Sequence, residues 1–103
     1  GILLPHVMRF NSEEVPQRMA DIGAAMGIAV HDMDAFTAAQ AAVDKMEVFT
    51  KSVGLNQRLR DLGVTEEDLD VCARLSMSDG SIIYNPRMVM DAEEVLGVYR
   101  KAY

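Results

Sequence analysis

The chain is divided into helix-length segments by residues that start and stop α-helices. Thr65 precedes three acidic residues, and Asp91 stands three residues before Glu94, which is the spacing of a capping box. A left-handed helix stop is predicted at Gly27, and further helix stops are predicted at Gly54 and Gly63. Apolar residues between these signals recur with a helical period, and no segment shows the sustained alternation of a β-strand. The pattern predicts an all-α fold.

Three further helix starts are less sharply marked. We expect Ser12 to cap a second helix with Pro16 in its first turn, and Asp32 or Asp34 to open the longest helix. Asn56 is expected to cap a short helix that stops at Gly63. Residues 79–90 then form the longest predicted irregular stretch, which is where functional residues would concentrate.

Apolar spacing also predicts which helix faces are buried. The longest helix should pack through a seam of Phe36, Ala39, Val43, Met46 and Val53. The helix after Thr65 should bury Leu69, Cys72 and either Leu75 or Ser76. Because its neighbours are apolar and nothing nearby would activate a thiol, we expect Cys72 to be a small buried hydrophobic residue.

Length and charge limit the classes of function. At 103 residues, the chain is expected to form one helical domain over residues 1–103. The formal net charge of −6 and the scattered basic residues argue against a nucleic-acid partner. No apolar run reaches the roughly 18 to 20 residues that span a bilayer. A single cysteine cannot form an internal disulfide, so a cytoplasmic location is expected.

Two segments carry a family resemblance. Residues 2–11 read Ile-Leu-Leu-Pro-His-Val-Met-Arg-Phe-Asn, which resembles the helix after the last iron ligand in iron-containing alcohol dehydrogenases. Residues 79–87 read Asp-Gly-Ser-Ile-Ile-Tyr-Asn-Pro-Arg, which resembles the family's loop ending in Asn-Pro-Arg ahead of the last helix. The order and spacing of the segments between them also fit, so the resemblance covers the whole chain and about the last quarter of a typical family member.

The resemblance implies the multihelical C-terminal domain of the dehydroquinate synthase-like, iron-containing alcohol dehydrogenase fold. In that family an N-terminal α/β domain binds NAD(P), and Fe2+ lies in the cleft between the two domains. The family's ligands, one Asp and three His, would all precede Gly1, so this chain is expected to hold neither iron nor nucleotide and to be inactive alone. Because the chain starts at Gly1 rather than at Met, we interpret it as part of a longer enzyme whose N-terminal α/β domain is its partner.

Within the resembling loop, Ser81 and Ile82 are the candidate substrate-pocket wall of the parent enzyme. Several family members read Asp-Val-Cys-Thr-Gly-Gly-Asn-Pro-Arg here, so this loop is bulkier and more apolar before its Asn. The Asn85-Pro86-Arg87 segment is predicted to be structural, with the Asn side chain bonding local backbone and Arg87 tying the loop to a carboxylate.

Two other functions remain open from the sequence. Eight methionines could give an adaptable surface to a free-standing helical interaction module. A helical bundle could bind a metal through His6 and His31, although two imidazoles are too few for a complete site. We assign both histidines to packing or surface hydrogen bonding. Finally, an apolar patch at the first helix is expected to support a homodimer; it contains Ile2, Leu3, Leu4 and Val7.

Overall fold

Five α-helices and two short 3-10 helices build the structure. The computed structural model describes residues 1–103. The α-helices are α1 (Leu4–Asn11), α2 (Pro16–Ala25), α3 (Ala35–Ser52), α4 (Glu66–Ser76) and α5 (Ala92–Ala102), and the 3-10 helices are Leu59–Leu62 and Gly80–Tyr84. The all-α prediction is confirmed. None of the helices combines the length and the apolar character that crossing a membrane requires.

The helix starts at Asp34, Thr65 and Asp91 and the three glycine stops act as predicted. The capping box at Asp91 is incomplete, because the Glu94 side chain accepts from the Met90 N–H at 2.8 Å and not from Asp91. Asp34, rather than Asp32, caps α3, with its Oδ1 accepting from the Thr37 N–H at 2.9 Å. Thr65 and Asp68 form a reciprocal capping box at α4, and the Asp91 side chain accepts from the Glu94 N–H at 3.1 Å. Left-handed φ angles of 87°, 88° and 85° occur at Gly27, Gly54 and Gly63. Local hydrogen bonding therefore fixes these helix ends.

Two predicted caps are wrong. Ser12 lies at the C-terminal end of α1, where its buried hydroxyl donates to the Arg9 carbonyl at 2.7 Å, and α2 begins only at Pro16. Asn56 does not open the short helix, because Arg58 does so with its backbone N–H donating to Asp61 Oδ2 at 2.8 Å. In both places a competing local hydrogen bond moves the helix boundary.

The apolar residues form two separate clusters. The first joins α1, α2 and α3 through Met8, Met19, Ala39 and Val43. The second joins α4 and α5 through Leu69, Ala73 and Leu96, with Tyr99 and Tyr103 packed against it. Helix α1 contacts both α3 and α5, so it lies between the two halves of the structure.

Several predicted core positions are exposed. Phe36 and Val53, at the two ends of the α3 seam, face solvent, and only the middle of the seam is buried. On α4, Leu69 and Ala73 are buried, whereas Cys72 and Leu75 are exposed. Helix α5 packs on α4 through the cluster of Leu69, Ala73 and Leu96, and Cys72 and Leu75 are not part of that cluster.

The structure is flat. Its principal extents are 43 × 30 × 17 Å, and its radius of gyration of 14.5 Å exceeds the roughly 13 Å of a compact chain of about 100 residues. Only 16 of 103 residues are buried. Much of the apolar surface therefore lies on the outside of the slab.

Candidate functional site

A cavity of about 470 Å³ opens between α1, the 3-10 helix Gly80–Tyr84 and α5. Its wall is mostly apolar, with polar groups from the end of α4 and from the loop. Helix α1 and the residue before it contribute Leu3, Val7 and Phe10; the loop contributes Ser81, Ile82 and Tyr84; and α5 contributes Val95, Val98 and Tyr99. A cavity of this size and character can hold a small organic molecule.

The structure brings both predicted site residues, Ser81 and Ile82, to the wall of this cavity. They lie in the 3-10 helix, which corrects the prediction that residues 79–90 are irregular throughout. Asp79 caps the turn, accepting from the Ser81 N–H at 2.8 Å through Oδ1, and its carbonyl accepts from the Ile82 N–H at 3.1 Å. The hydrogen bond from the Ser81 backbone lowers the pKa of the Asp79 carboxyl. Their contact with a substrate stays a prediction.

The polar part of the cavity contains a hydroxyl pair. Ser76 Oγ and the Tyr99 hydroxyl lie 3.2 Å apart. Because Ser76 Oγ donates to the Cys72 carbonyl at 2.8 Å, the Tyr99 hydroxyl is the donor to Ser76. The pair can therefore offer acceptor positions to a polar ligand group, but it includes no general base.

The amide of Asn85 is held by α1. Asn11 Nδ2 donates to Asn85 Oδ1 at 3.1 Å, and Asn85 Nδ2 donates to Asn11 Oδ1 at 2.8 Å. Asn85 Nδ2 also donates to the Arg87 carbonyl at 2.6 Å, as predicted for a local backbone bond. The reciprocal pair joins residues 74 positions apart in the chain.

Arg87 connects the same loop to two helices. Its guanidinium lies over the Phe10 ring, and Nη1 contacts Glu13 Oε2 at 2.8 Å. Nη2 lies 3.7 Å from Glu94 Oε1 at the start of α5. The prediction that Arg87 ties the loop to a carboxylate is confirmed, with two carboxylates rather than one.

The histidines lie apart from this cavity. His6 lines a smaller polar cavity of about 160 Å³, and its partial burial lowers its pKa. His31 is exposed, with Nε2 3.2 Å from Asp32 Oδ2. No group of three or more His, Cys, Asp or Glu side chains is placed to hold a metal ion. The residues of this chain therefore do not fit an iron site, nor does the sequence contain a glycine-rich phosphate loop.

The methionines are divided between the core and the surface. Met8 and Met19 belong to the first apolar cluster, whereas Met33, Met88 and Met90 are exposed. They do not form one continuous methionine-rich face along any single helix. This distribution weakens the argument for an interaction module.

Sequence reasoning missed Asn11, Phe10 and Tyr99 as parts of the site. Asn11 is 6% exposed, so a polar residue ends the inward face of α1. That polar interruption of an apolar helix face is the one signal in the sequence that could have identified it. The partner, Asn85, cannot be inferred from spacing because the pairing is tertiary.

Comparison with known proteins places these features in a family. The family model described as Fe-containing alcohol dehydrogenase family, C-terminal, matches residues 1–103. A 1,3-propanediol dehydrogenase from Klebsiella pneumoniae is 34% identical over 103 residues, which are 100% of this chain and 26% of that protein. The lactaldehyde reductase of Escherichia coli (strain K12) is 35% identical over 103 residues, again 100% of this chain and 27% of that protein.

Solved structures agree in fold. A 1,3-propanediol oxidoreductase superposes with a TM-score of 0.93 at 34% identity, covering 99% of this chain and 26% of that chain. An alcohol dehydrogenase from Oenococcus oeni superposes with a TM-score of 0.91 at 27% identity, with 99% and 26% coverage. The chain thus spans about a quarter of the length of the relatives it matches.

Proposed function

The chain belongs to the iron-containing alcohol dehydrogenase family, as its C-terminal domain, and from this we propose that residues 1–103 act as one helical domain of a larger enzyme. That enzyme would transfer a hydride reversibly between NAD(P)H and an aldehyde or ketone. The relatives that support this reaction include dehydrogenases and a reductase of small alcohols and aldehydes.

The observation that carries the proposal is the unpartnered apolar surface of a thin slab. Ile83 and Tyr84 are 75% and 81% exposed, and Met88 and Met90 are 75% and 71% exposed, all in the loop beside the cavity. Large apolar side chains exposed together are typical of a surface that another domain covers. We assign this role to the remainder of the enzyme, including its N-terminal α/β domain.

In this arrangement Ser81 and Ile82 form a wall of the substrate pocket. Fe2+ and NAD(P) would be held by the remainder of the enzyme, since no cluster of side chains in this chain is placed to ligate a metal and its sequence has no glycine-rich phosphate loop. The contribution of the chain is to shape the pocket and to limit the size of the substrate. A reducing cytoplasm suits the one cysteine, Cys72, whose thiol is free and exposed.

The test separates binding from catalysis. Titration calorimetry of the 103-residue chain with Fe2+, and separately with NADH, should give no saturable heat at micromolar concentrations. The chain alone should not oxidise ethanol with NAD+ or NADP+, whereas the full-length enzyme should do so and should lose the activity when residues 1–103 are deleted. Stoichiometric binding of Fe2+ or NADH by the chain alone would contradict the proposal.

A further inference from the structure

We propose that the Asn11–Asn85 amide pair is a positioning device that fixes the pocket wall at Ser81 and Ile82 against the end of α1. The inference rests on the proposed function, because it assigns these asparagines a role in the substrate selectivity of the same pocket. Asn11 ends the inward face of α1, whereas Asn85 lies in the loop, outside any helix.

The pair is linked to the wall through one backbone hydrogen bond. The Asn85 N–H donates to the Ile82 carbonyl at 3.1 Å and closes the C-terminal end of the 3-10 helix. The Asn85 side chain, on the other side of the same residue, pairs with Asn11. A displacement of Asn85 would therefore disturb the hydrogen bond that closes the 3-10 helix at Ile82.

Because Asn11 is buried, water cannot readily replace its hydrogen bonds with Asn85. Asn11 is 6% exposed, and each amide supplies the donor and the acceptor that the other needs. If the loop shifted, the Asn11 amide would be left shielded from solvent without its partner, which is unfavourable for a buried polar group. Rotation of one amide alone would place its donor against the donor of the other amide. The pair therefore stabilises one position of the loop relative to α1.

Two further anchors prevent the loop from pivoting about Asn85. Asp79 caps the start of the 3-10 helix through the Ser81 N–H. Arg87, two residues after Asn85, donates to the Phe10 carbonyl at 3.2 Å and stacks on the Phe10 ring. The pocket wall is thus held at both ends, at Asp79 and at Arg87, and α1 contributes residues that Asn85 and Arg87 contact.

A fixed wall has a specific kinetic consequence. Binding in a rigid pocket discriminates by substrate size, because a bulky group cannot displace the wall. Loosening the wall should admit bulky alcohols and reduce the difference in kcat/KM between small and large substrates. Loss of global stability alone would lower activity toward all substrates equally.

The experiment compares full-length enzymes carrying Asn85→Ala, Asn11→Ala, both changes, or the control Asn56→Ala in an exposed loop. Hydrogen exchange of the peptide covering residues 79–90 should be faster in the first three and unchanged in the control. The ratio of kcat/KM for ethanol to that for a bulky primary alcohol should fall about tenfold in Asn85→Ala, which removes three side-chain hydrogen bonds, two with Asn11 and one to the Arg87 carbonyl. Because the single changes break the same pair, the double variant should show no more than the larger single effect.

Folding is followed by exchange of the α3 peptide, which lies outside the loop. If Asn85→Ala does not fold, Asn85→Asp carries the test, since it keeps the acceptor for Asn11 Nδ2 and loses the donor. Unchanged loop exchange, or an unchanged size ratio in an active enzyme, would overturn the positioning role alone. Inactivity of the wild-type enzyme toward every alcohol would instead overturn the proposed function.

Discussion

The guanidinium carbon of Arg87 lies 4.1 Å from the centroid of the Phe10 ring. The contact joins the loop before α5 to the last turn of α1, and the side chain of Arg87 is 28% exposed. Since α1 also packs on α3, this contact helps to hold together the halves that contain the two apolar clusters. A single side chain in a loop therefore contributes to the packing of the whole slab.

Replacing Arg87 with Lys should lower the free energy of unfolding by about 1–2 kcal/mol, because an ammonium cannot reproduce the planar stacking and the fork of hydrogen bonds. Urea unfolding followed by circular dichroism measures the change. Arg18→Lys, at an exposed position on α2, is the matched control and should leave the unfolding midpoint unchanged. Equal effects of the two substitutions would show that the stacked geometry has no energetic role.

The second apolar cluster should be sensitive to cavity formation at one position of α4. Leu69 is 2% exposed, so Leu69→Ala should cost about 2–5 kcal/mol. Leu75→Ala, on the same helix but 64% exposed, should change stability by less than about 0.5 kcal/mol. Thermal unfolding of the two variants makes the comparison; similar losses would mean that the packing of α4 is misassigned.

The capping box of α4 should make the free energy of unfolding depend on pH in the acid range. Hydrogen bonds from Thr65, first from its backbone N–H and then from its hydroxyl, lower the pKa of the Asp68 carboxyl below 3.8. Because the folded-state pKa lies below the unfolded value, the stabilisation is present above about pH 3.8 and is lost as the pH falls through the folded-state pKa.

Urea midpoints measured from pH 6 to pH 3 test this linkage. Asp68→Asn should lower the midpoint at pH 6 and reduce its further decline in acid. Asp21→Asn serves as the control because Asp21 accepts from the Gln17 side chain only. A wild-type acid profile in Asp68→Asn would rule out the linkage.

Enlarging the pocket wall should change substrate preference in the full-length enzyme. Ser81→Phe adds a ring beside the cavity. It should raise KM and lower kcat/KM for bulky alcohols more than for ethanol, and the difference in kcat/KM should correspond to roughly 1–3 kcal/mol of transition-state binding. Initial rates across a series of primary alcohols measure the effect. Kinetics that change uniformly with substrate size would refute the assignment of Ser81 to the wall.

The isolated chain should self-associate through α1. Leu4 and Val7 are 44% and 37% exposed, and Ile2 and Leu3 beside them are only partly buried. Burying a few hundred Å² of such surface at roughly 25 cal/mol per Å² favours a two-fold dimer. Light scattering should detect the dimer at hundreds of micromolar.

The double change of Leu3 and Leu4 to Ser should shift this equilibrium toward monomer. The comparison variant changes Val71 and Leu75 to Ser, on the exposed face of α4. Dissociation of the α4 variant instead would place the interface on α4, and a monomeric wild-type chain would reject self-association.

Local hydrogen bonds and backbone conformation determined where most of the helices begin and end. The caps at Asp34, Thr65 and Asp91 and the left-handed glycines act within a few residues, so their hydrogen bonds and φ angles follow from the sequence alone. The motifs also indicated the family and brought Ser81 and Ile82 forward as site candidates. The cap predicted at Ser12 was nevertheless wrong. A serine hydroxyl can accept from a following N–H or donate to a preceding carbonyl, and the sequence alone does not determine which bond forms.

Only the tertiary structure decided which helix faces are covered and which side chains meet. Periodicity marks an apolar face, but whether Cys72 or Phe36 is buried depends on how much of that face a neighbouring helix covers. The pairing of Asn11 with Asn85, and the stacking of Arg87 on Phe10, join residues more than 70 positions apart. Such contacts arise from the relative placement of α1 and the loop, which no local hydrogen-bonding rule specifies.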